Sequence, residues 1–334
     1  MNTDRKAMER KNAPVFVLGS PRSGTTLLYH MLLSSGGFAV YRAESEVFSL
    51  LVPRFGDLSK MKNKKRLMKA WLQSKLFFRS GLDAGTIEAK ILAECKNGGD
   101  FLRIVMGEIA RVQNVARWAD CTPEHLVYLP EIKKAIPDAL VIHIIRDGRD
   151  AALSMEKQGW IRPFSWEKNA TLLVAALYWE WVVGRGRESG RALGPDYIEI
   201  HFEDLLKEPR QVLAKLGQFI DHDLDYERIQ QVGIGSVSDP NTSFKEGSGT
   251  TQFNPFGRWK QALVGDDLSK LECLLGPSLQ SLGYPVTHTC SASCRGFNLS
   301  RVRTLHRLSF GSKLWLKKRV LLSRFFVTRD VSWL

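Results

Sequence analysis

A short apolar segment near the start of the chain runs directly into a turn bracketed by glycines, and this pairing restricts the fold more than any other feature. The segment is Pro14-Val-Phe-Val-Leu18, the turn is Gly19-Ser-Pro-Arg-Ser-Gly24, and apolar residues then recur at helical spacing from Thr25 to Ser34. A continuous apolar run of this length is typical of a strand buried on both faces of a parallel sheet. Together the three pieces predict the first half of a βαβ unit.

Two later segments repeat this arrangement of strand followed by helix. Leu140–Ile145 is apolar apart from one histidine and leads into the helical stretch RDGRDAALSM, and Tyr197–Phe202 precedes a helix that starts near Pro209. Further helical patterns cover residues 62–80, 99–116, 124–136 and 166–190. Strands that alternate with helices predict a three-layer α/β sandwich with a central parallel sheet, of the P-loop NTPase type.

Positive charge is concentrated at the C-terminal end of the chain. The 334 residues include 48 Lys and Arg and 35 Asp and Glu, a formal charge of +13, and residues 295–334 hold ten of the cations and one acid. The rest of the chain is only mildly basic, so the composition does not favour a nucleic-acid-binding protein. We therefore divide the chain into one domain, residues 13–290, and a basic amphipathic C-terminal extension, residues 291–334.

Cysteine usage and hydropathy predict a soluble, cytoplasmic protein without a bound metal. The five cysteines, at positions 95, 121, 273, 290 and 294, are scattered and show no paired spacing, as in proteins of reducing compartments. The start MNTDRKAMERKN has no apolar region of the kind found in signal peptides, and the longest apolar run, Leu172–Trp179, is too short to span a membrane. His288, Cys290 and Cys294 lack a fourth ligand at zinc spacing, so no metal site is predicted.

The glycine-bracketed turn has the spacing of a phosphate-binding loop. Backbone N–H groups and the helix N-terminus point at an anion when such a loop joins a buried strand to a helix. In nucleotide-binding P-loops a lysine follows the second glycine, but here Thr25 takes that position and the nearest cation is Arg22. No apolar strand ends in an aspartate suited to Mg²⁺. The loop therefore predicts an anion site rather than a site for Mg·ATP.

A second candidate anion site follows the strand Leu140–Ile145. Arg146 ends that strand and Ser154 lies about two helical turns further along, so a guanidinium and a hydroxyl could converge on one phosphate. The alternative is an ordinary ion pair between Arg146 and Asp147 or Asp150. Two anion sites on neighbouring strand ends indicate one ligand with two separated anionic groups, bound at the carboxyl edge of the sheet. A nucleotide with a 3′-phosphate and a 5′-phosphosulfate has this shape.

Four segments, in the same order, resemble those of sulfotransferases that use 3′-phosphoadenylyl sulfate (PAPS). PVFVLGSPRSGTTLL is similar to their 5′-phosphosulfate loop and IIRDGRDAALSM to their 3′-phosphate motif. IHFEDLLKEP, and GRWKQAL at 257–263, are similar to two later elements of the family. The resemblance extends over about residues 13–285 and is closest to the branch of bacterial and tyrosylprotein sulfotransferases, because of Arg22 and the sequence TPEHL at 122–126.

The resemblance implies a sulfotransferase fold and a metal-independent, in-line transfer of sulfonate from PAPS to a hydroxyl or amine. It assigns the 5′-phosphosulfate to the loop and the start of the first helix, and closure over the nucleotide to the segment 243–258. The residues implied are Arg22, Ser23, Gly24, Thr25 and Thr26 for the 5′-phosphosulfate, Arg146 and Ser154 for the 3′-phosphate, and Phe202, Ser243 and Arg258 around the nucleotide. Arg22 is also implied as a catalytic residue that stabilises charge on the departing phosphate.

The catalytic base is expected in the segment Tyr41–Phe48, which is similar to the stretch that carries a glutamate in the tyrosylprotein-like branch. Glu44 is the first choice for the group that deprotonates the acceptor, and Glu46 is the second. Burial beside the loop is expected to raise the pKa of this carboxylate towards the working range of a general base. The alternative is that both glutamates are solvated acids at the start of a helix.

One position departs from the family pattern. Where the resemblance implies a lysine that reaches the transferring group, this chain has Cys121, in Asp120-Cys-Thr-Pro123. Either another cation, Lys245, Arg258 or Lys260, takes over this role, or transfer is slow. His125 follows in an apparent helix and is expected on the surface of that helix.

Two basic amphipathic stretches indicate a further interaction. Residues 58–82 contain eight Lys or Arg and no acid among bulky apolar residues, and FGSKLWLKKRVLLSRFF in the extension has a similar mixture. Such stretches can lie on anionic membrane surfaces, so peripheral membrane contact is a hypothesis. The alternatives are solvated helical faces or, for the first stretch, an entrance for an anionic acceptor.

Other functions and several acceptors stay open at this point. The chain could be a P-loop kinase or NTPase, a non-catalytic protein that binds anionic polymers through its extension, or a family member that binds PAPS without turnover. A lipid, a glycan, a small molecule and a peptide are all open as the acceptor.

Overall fold

A computed structural model of the chain describes residues 10–159, 161, 170–237, 256–287 and 297–319. Five residues named above lie outside this range: Ser243, Lys245, His288, Cys290 and Cys294. What the sequence predicts for these five stays a prediction.

Four parallel strands, formed by apolar runs of the sequence, make the central sheet of the described structure. They are β1 (Val15–Leu18), β2 (Ala119–Asp120), β3 (Leu140–Ile145) and β4 (Tyr197–His201), in the order β2-β1-β3-β4 across the sheet. Val15 lies beside Ala119 and Leu140, and Ile145 lies beside His201. The carboxyl ends of the four strands therefore meet at one edge. The sequence pattern does not predict β2, because two residues are too few to show a period.

Helices connect the strands and follow the last of them. In chain order they are α1 (Thr25–Ser34), α2 (Val52–Phe55), α3 (Met61–Trp71), α4 (Lys75–Ser80), α5 (Ala84–Glu94), α6 (Gly98–Val112), α7 (Leu129–Ala135), α8 (Gly148–Lys157), α9 (Thr171–Arg191), α10 (Phe202–Lys207), α11 (Pro209–Ile220), α12 (Tyr226–Val232), α13 (Trp259–Ala262), α14 (Asp266–Ser281) and α15 (Phe297–Lys318). A π-helical turn, Val47–Leu51, leads into α2, and 3₁₀ turns lie at Pro123–Tyr128, Gly194–Asp196 and Gly235–Val237.

The alternation of side chains along the strands divides the core between the two faces of the sheet. Phe16, Leu18 and Val141 join one cluster with α3, α5, α6 and α7. Val15 and Ile142 join a second cluster with α1, α11 and α12. A third cluster links the end of β3 to α8, α9 and α14. Helices therefore cover both faces of a parallel sheet, and the predicted three-layer α/β sandwich is confirmed.

The helices differ from prediction at three places. Residues 62–80 form two helices, because Ser74 caps the start of α4 by accepting the Phe77 N–H at its Oγ (3.3 Å). The segment 124–136 starts as a 3₁₀ turn and becomes α-helical only at Leu129. The pattern does not predict α5, which buries only two side chains, Ile87 and Ile91.

The part of the basic extension that the structure describes is the helix α15, which packs against α9. Among the described helices, α15 included, none is both long enough and apolar enough to cross a membrane.

Candidate functional site

Two residues in the left-handed backbone region shape the loop after β1. Arg22 has a φ of 69° and Gly24 a φ of 92°. A side chain in this region costs on the order of 1–3 kcal/mol, and such strain is concentrated at functional sites. A Cβ on Gly24 would lie 2.2 Å from the Phe202 ring, and a Cβ on Gly19 would lie 2.5 Å from the carbonyl oxygen of Ile144. Both glycines thus let the loop lie close against the ends of β3 and β4.

Arg22, Arg146 and Ser154 are tied together by hydrogen bonds. The Nε of Arg22 donates to Ser154 Oγ (2.9 Å), and the Nη1 of Arg146 donates to the backbone oxygen of Arg22 (2.8 Å). The Arg146 guanidinium also lies over the Phe202 ring, 5.0 Å from its centroid. The structure therefore brings together four residues that the sequence predicts for the nucleotide, three that follow strands and one, Ser154, on α8.

Positive charge is crowded at this edge of the sheet. Burial lowers the pKa of Arg22, and the neighbouring Arg146 lowers it further. Burial also lowers the pKa of Arg146, which Asp150 and Glu203 partly oppose. Arg258 adds to the lowering of the Arg146 pKa. These guanidinium groups repel one another, so a bound anion with several negative charges would stabilise the arrangement.

The hydroxyls of the loop and of the α1 start differ in what they contact. Ser20 and Ser23 are fully buried, and their Oγ atoms have no hydrogen-bond partner among the described residues. Thr25 is buried and hydrogen-bonds the Cys121 thiol, whereas Thr26 is exposed. Ser20, which the sequence pattern does not single out, and Ser23 can therefore bind an anion held by the loop.

Asp150 holds the segment that brings Arg258 to the site. Its carboxylate accepts the backbone N–H groups of Gly257 (2.6 Å) and Trp259 (2.9 Å). A cavity of about 430 Å³ lies between this segment and α8, and Ser154 and Arg258 are among the residues that line it. The sequence suggests Asp150 only as an ion-pair partner of Arg146. The structure shows that it also holds the backbone on either side of Arg258.

A buried ion cluster supports the same segment. The Arg149 guanidinium donates to both carboxylate oxygens of Asp147 (3.0 and 2.7 Å) and to Glu272 of α14. Its centre lies 3.6 Å from the centroid of the Trp259 ring, a cation–π contact. Asp147, which the sequence suggests as a partner for Arg146, is therefore engaged with Arg149.

Glu44 lies near Cys121, at the end of β2, but it is exposed. Burial raises the pKa of the Cys121 thiol, and the nearby Glu44 raises it further, while Thr25 hydrogen-bonds the same thiol. Cys121 thus links Glu44 to the start of α1 and, as a neutral thiol, adds no charge. The expectation that Glu44 is buried is wrong, because the buried positions of this segment are taken by Ser45 and Glu46.

Glu46 has a structural contact instead. Its side chain is 3% exposed and accepts a hydrogen bond from the Ser49 hydroxyl. Its backbone has a φ of 52°, and its carbonyl oxygen accepts the N–H groups of Leu50 and Leu51 (both 2.9 Å) at the start of the π-helical turn. Of the two predicted bases, Glu44 is therefore the better placed.

A buried aspartate–histidine pair holds the segment of the predicted base. His125 Nε2 accepts a hydrogen bond from the Phe48 N–H (3.1 Å). The ring hydrogen is therefore on Nδ1, which donates a hydrogen bond to Asp120 Oδ2 (2.9 Å). Thr122 Oγ1 donates to Asp120 (3.2 Å) and accepts the N–H of Ser45 (2.9 Å). Burial alone would raise the pKa of Asp120, but its contacts with His125, Ser45 and Thr122 hold that pKa below its usual value.

The expected surface position of His125 is wrong. The side chain is 0% exposed, and the Phe48 ring packs edge-on against it with 5.3 Å between centroids. The only signal in the sequence is a polar stretch, Asp120–His125, with apolar residues on either side. That signal does not distinguish a buried pair from a solvated turn.

The cysteines do not all match the prediction of reduced, unpaired thiols. Cys95 and Cys121 are not disulfide-bonded, but Cys273 is. Within the described ranges, no group of three or more His, Cys, Asp or Glu side chains is arranged to hold a metal ion.

The fold is similar to that of two solved sulfotransferase domains. The sulfotransferase domain of the olefin synthase from Synechococcus PCC 7002 is 16% identical, with a TM-score of 0.51, over 82% of this chain and 96% of that one. The sulfotransferase domain from the curacin biosynthetic pathway has the same identity and TM-score, over 82% of this chain and 99% of that one. At this identity the likeness shows the fold alone.

Sequence comparison gives the family. No curated protein sequence matches this chain. Residues 14–226, which are more than half of the chain and include the loop after β1, Arg146, Ser154 and Phe202, match the profile described as "Sulfotransferase family". Three of the four motifs lie within the matched residues, and the fourth, at 257–263, lies beyond them. The resemblance to the family is therefore confirmed, and the chain belongs to the sulfotransferase family.

Proposed function

We propose that this sulfotransferase takes its sulfonate group from PAPS and transfers it to a hydroxyl or amine acceptor. The observation that carries the proposal is the convergence of Arg22, Arg146 and Arg258 around Ser154 at the carboxyl ends of β1 and β3. Guanidinium groups that repel one another are stabilised when an anion with separated negative groups binds between them. A 3′-phosphate and a 5′-phosphosulfate supply such groups.

The residues of the loop fit such a ligand. Gly24 starts α1 without a side-chain cap, so the first backbone N–H groups of the helix can bind an anion. The buried hydroxyls of Ser20 and Ser23 lie in the same loop. We assign the 5′-phosphosulfate to this loop with Arg22. We assign the 3′-phosphate to Arg146 and Ser154, with Arg258 and Phe202 completing the nucleotide site.

The protein's own groups then have separate functions in the transfer. When bound, PAPS supplies an activated sulfonate that leaves its 5′-phosphate for the acceptor oxygen. Glu44, an exposed carboxylate near Cys121, takes the proton from the acceptor hydroxyl. Arg22 stabilises the negative charge that the 5′-phosphate gains. Asp120 and His125 act as positioning residues, since they hold the backbone next to Glu44.

We propose a cavity lined by Phe48, which follows Glu44 by four residues in the chain, as the acceptor site. It has a volume of about 360 Å³. Phe48, Val52, Pro53 and Tyr128 are among its lining residues, and Lys317 and Lys318 of α15 lie at its wall. Because these walls are largely apolar, we infer an acceptor with an apolar ring or chain next to its hydroxyl or amine. A small molecule, a glycan with an apolar group, a lipid or a peptide side chain all satisfy this condition.

A kinase or NTPase is not favoured. The position of the P-loop lysine is occupied by Thr25, which is buried and hydrogen-bonds Cys121, so no ammonium group reaches the loop from there.

The cytoplasmic location stays a prediction, and the disulfide at Cys273 is the observation that opposes it.

Calorimetric titration of the full chain with adenosine 3′,5′-bisphosphate tests the nucleotide assignment. We expect this ligand to bind roughly 10–100-fold more tightly than AMP, because a charge-assisted contact to the 3′-phosphate contributes ~1.5–3 kcal/mol. Turnover with PAPS is then followed by transfer of labelled sulfonate to a panel of phenols and lipid alcohols. Tighter binding of Mg·ATP than of the bisphosphate would contradict the proposal.

A further inference from the structure

One face of α15 is fixed to the body of the protein by an aromatic contact. The ring of Phe310 lies against Tyr178 and Trp181 of α9, with centroid distances of 5.4 and 5.6 Å. Leu314 and His306 are buried on the same face. This inner face is therefore an ordinary packing surface.

The cations of the inner face are matched by acids of the body. Arg303 Nε donates to Glu180 of α9 (2.8 Å), and Lys318 forms an ion pair with Glu131 of α7 (2.6 Å). Lys317 lies 3.8 Å from Glu124 in the 3₁₀ turn before α7. The positive charge on this face is thus accounted for by contacts within the protein.

The outer face of α15 combines exposed apolar side chains with exposed cations. Leu305, Leu308 and Trp315 are 49%, 66% and 51% exposed, and their spacing places them on one stripe of the helix. Arg301 and Arg319 are exposed on the same stripe, and Arg307 and Lys313 are exposed at its two flanks, next to the inner face. The Arg319 guanidinium lies 4.5 Å from the Trp315 ring centroid. Residues 297–319 contain no Asp or Glu, so no acid of the helix itself offsets this charge.

We propose that the outer face of α15 docks onto the surface of an anionic membrane. A bilayer that contains acidic lipids offers negative headgroups to the cations and an apolar layer to Leu305, Leu308 and Trp315. A soluble polyanion would meet the cations but would leave the apolar stripe in water. The sequence after α15 continues the same composition, with Val-Leu-Leu at 320–322, Arg324, Phe-Phe at 325–326 and Arg329.

Docking through the outer face of α15 does not involve the nucleotide residues. The helix contacts the body through α9 and α7, and Arg22, Arg146 and Phe202 follow the ends of β1, β3 and β4. On its inner side, Lys317 and Lys318 line the proposed acceptor cavity. The docked protein would therefore meet its acceptor at or near the lipid surface while it binds the nucleotide from solution.

Co-sedimentation of the full chain with vesicles tests this proposal. The probes are vesicles of phosphatidylcholine alone, vesicles that also contain phosphatidylserine, and heparin as a soluble polyanion. We expect binding to the phosphatidylserine vesicles and little binding to phosphatidylcholine alone. Equal binding to both vesicle types, or to neither, would overturn the proposal.

Two sets of substitutions in exposed residues locate the surface. A charge variant combines Arg307→Glu, Lys313→Glu and Arg319→Glu, and we expect it to bind phosphatidylserine vesicles at least ~100-fold more weakly, at about fivefold per cation. An apolar variant combines Leu305→Ser, Leu308→Ser and Trp315→Ser, and we expect roughly tenfold weaker vesicle binding with unchanged heparin binding. Vesicle binding by the apolar variant as tight as wild type would show a simple polyanion site and would overturn the proposal.

A control variant tests whether vesicle binding depends on the α15 surface or only on the net charge of the protein. Lys62→Glu, Lys65→Glu and Lys69→Glu make the same charge change on exposed positions of α3. We expect this control to keep most of its vesicle binding; a loss as large as that of the charge variant would overturn the assignment to α15. All three variants should keep the wild-type Tm and bisphosphate affinity, so this test is independent of the proposed transferase reaction.

Discussion

The nucleotide half and the acceptor half of the candidate site differ in the kinds of groups they present and in what holds those groups in place. The nucleotide half consists of arginines and hydroxyls fixed by the loop, by Ser154 and by the Asp150 anchor. The acceptor half presents one exposed carboxylate, Glu44, on a segment that the buried Asp120–His125 pair holds. The first half is arranged to bind one charged ligand, and the second to leave a base accessible to an acceptor. Substitutions should therefore separate binding from turnover.

The largest effect is expected from Glu44→Gln. Loss of a general base lowers kcat by about 10²–10⁴-fold, while the affinity for adenosine 3′,5′-bisphosphate should stay the same. Single-turnover transfer from PAPS and calorimetry measure the two quantities. Glu94→Gln, an exposed glutamate on α5, is the control. If Glu44→Gln weakened nucleotide binding as much as turnover, the division between the two halves would be lost.

Arg146→Ala should show the opposite pattern. Removing a buried cation that binds a phosphate costs on the order of 2–5 kcal/mol, so the Kd for the bisphosphate should rise by roughly 30- to 5,000-fold. Arg210→Ala removes an exposed arginine whose partner is Glu227 and should leave the Kd unchanged. Near-normal affinity in Arg146→Ala would remove this residue from the 3′-phosphate site.

A smaller effect on kcat is expected from Asp120→Asn. The substitution weakens the hold on the segment of Glu44, and a displacement of about 1 Å at a reacting group can cost up to ~10²-fold in rate. The bisphosphate affinity should not change. A loss of nucleotide binding equal to the loss in kcat would show general misfolding rather than positioning.

The same variant has a definite pH signature. The pKa of Asp120 lies below its ordinary value of 3.8 in the folded protein, so the charged carboxylate stabilises the fold above that pH. The stabilisation is lost as the pH falls through the lower, folded-state pKa. In denaturant titrations, wild type should exceed Asp120→Asn in free energy of unfolding above about pH 4, and the two should converge in stronger acid. A difference that grew in acid would contradict this assignment.

The nucleotide half could be predicted from the sequence because its motifs encode backbone geometry. Glycines at fixed spacing between an apolar run and a helical pattern leave few conformations for the loop, and Arg146 is placed by the strand that it ends. The order of the apolar runs likewise predicts the layers of the fold. A strand of two residues such as β2 leaves no comparable signal.

The acceptor half was less accessible to sequence reasoning because its order comes from contacts between distant residues. His125 is buried only because Phe48, 77 residues away, covers it and donates its N–H to the ring. Glu44 and Glu46 are two positions apart, yet Glu44 is exposed and Glu46 is buried. Glu46 directly precedes the π-helical turn Val47–Leu51, whose residues are all buried. No local pattern of residue types distinguishes these outcomes.

The partners of Arg149 are far apart in the chain, so they are synthesised at different times. Its charge is balanced by Asp147, close by in the chain, and by Glu272, which follows 123 residues later. At ribosomal rates of about 5–20 residues per second, the second carboxylate is made roughly 6–25 s after the guanidinium. Arg258 and Trp259 also belong to this late part of the chain. The nucleotide site therefore cannot be completed until Arg258 has been synthesised, more than 100 residues after Arg146.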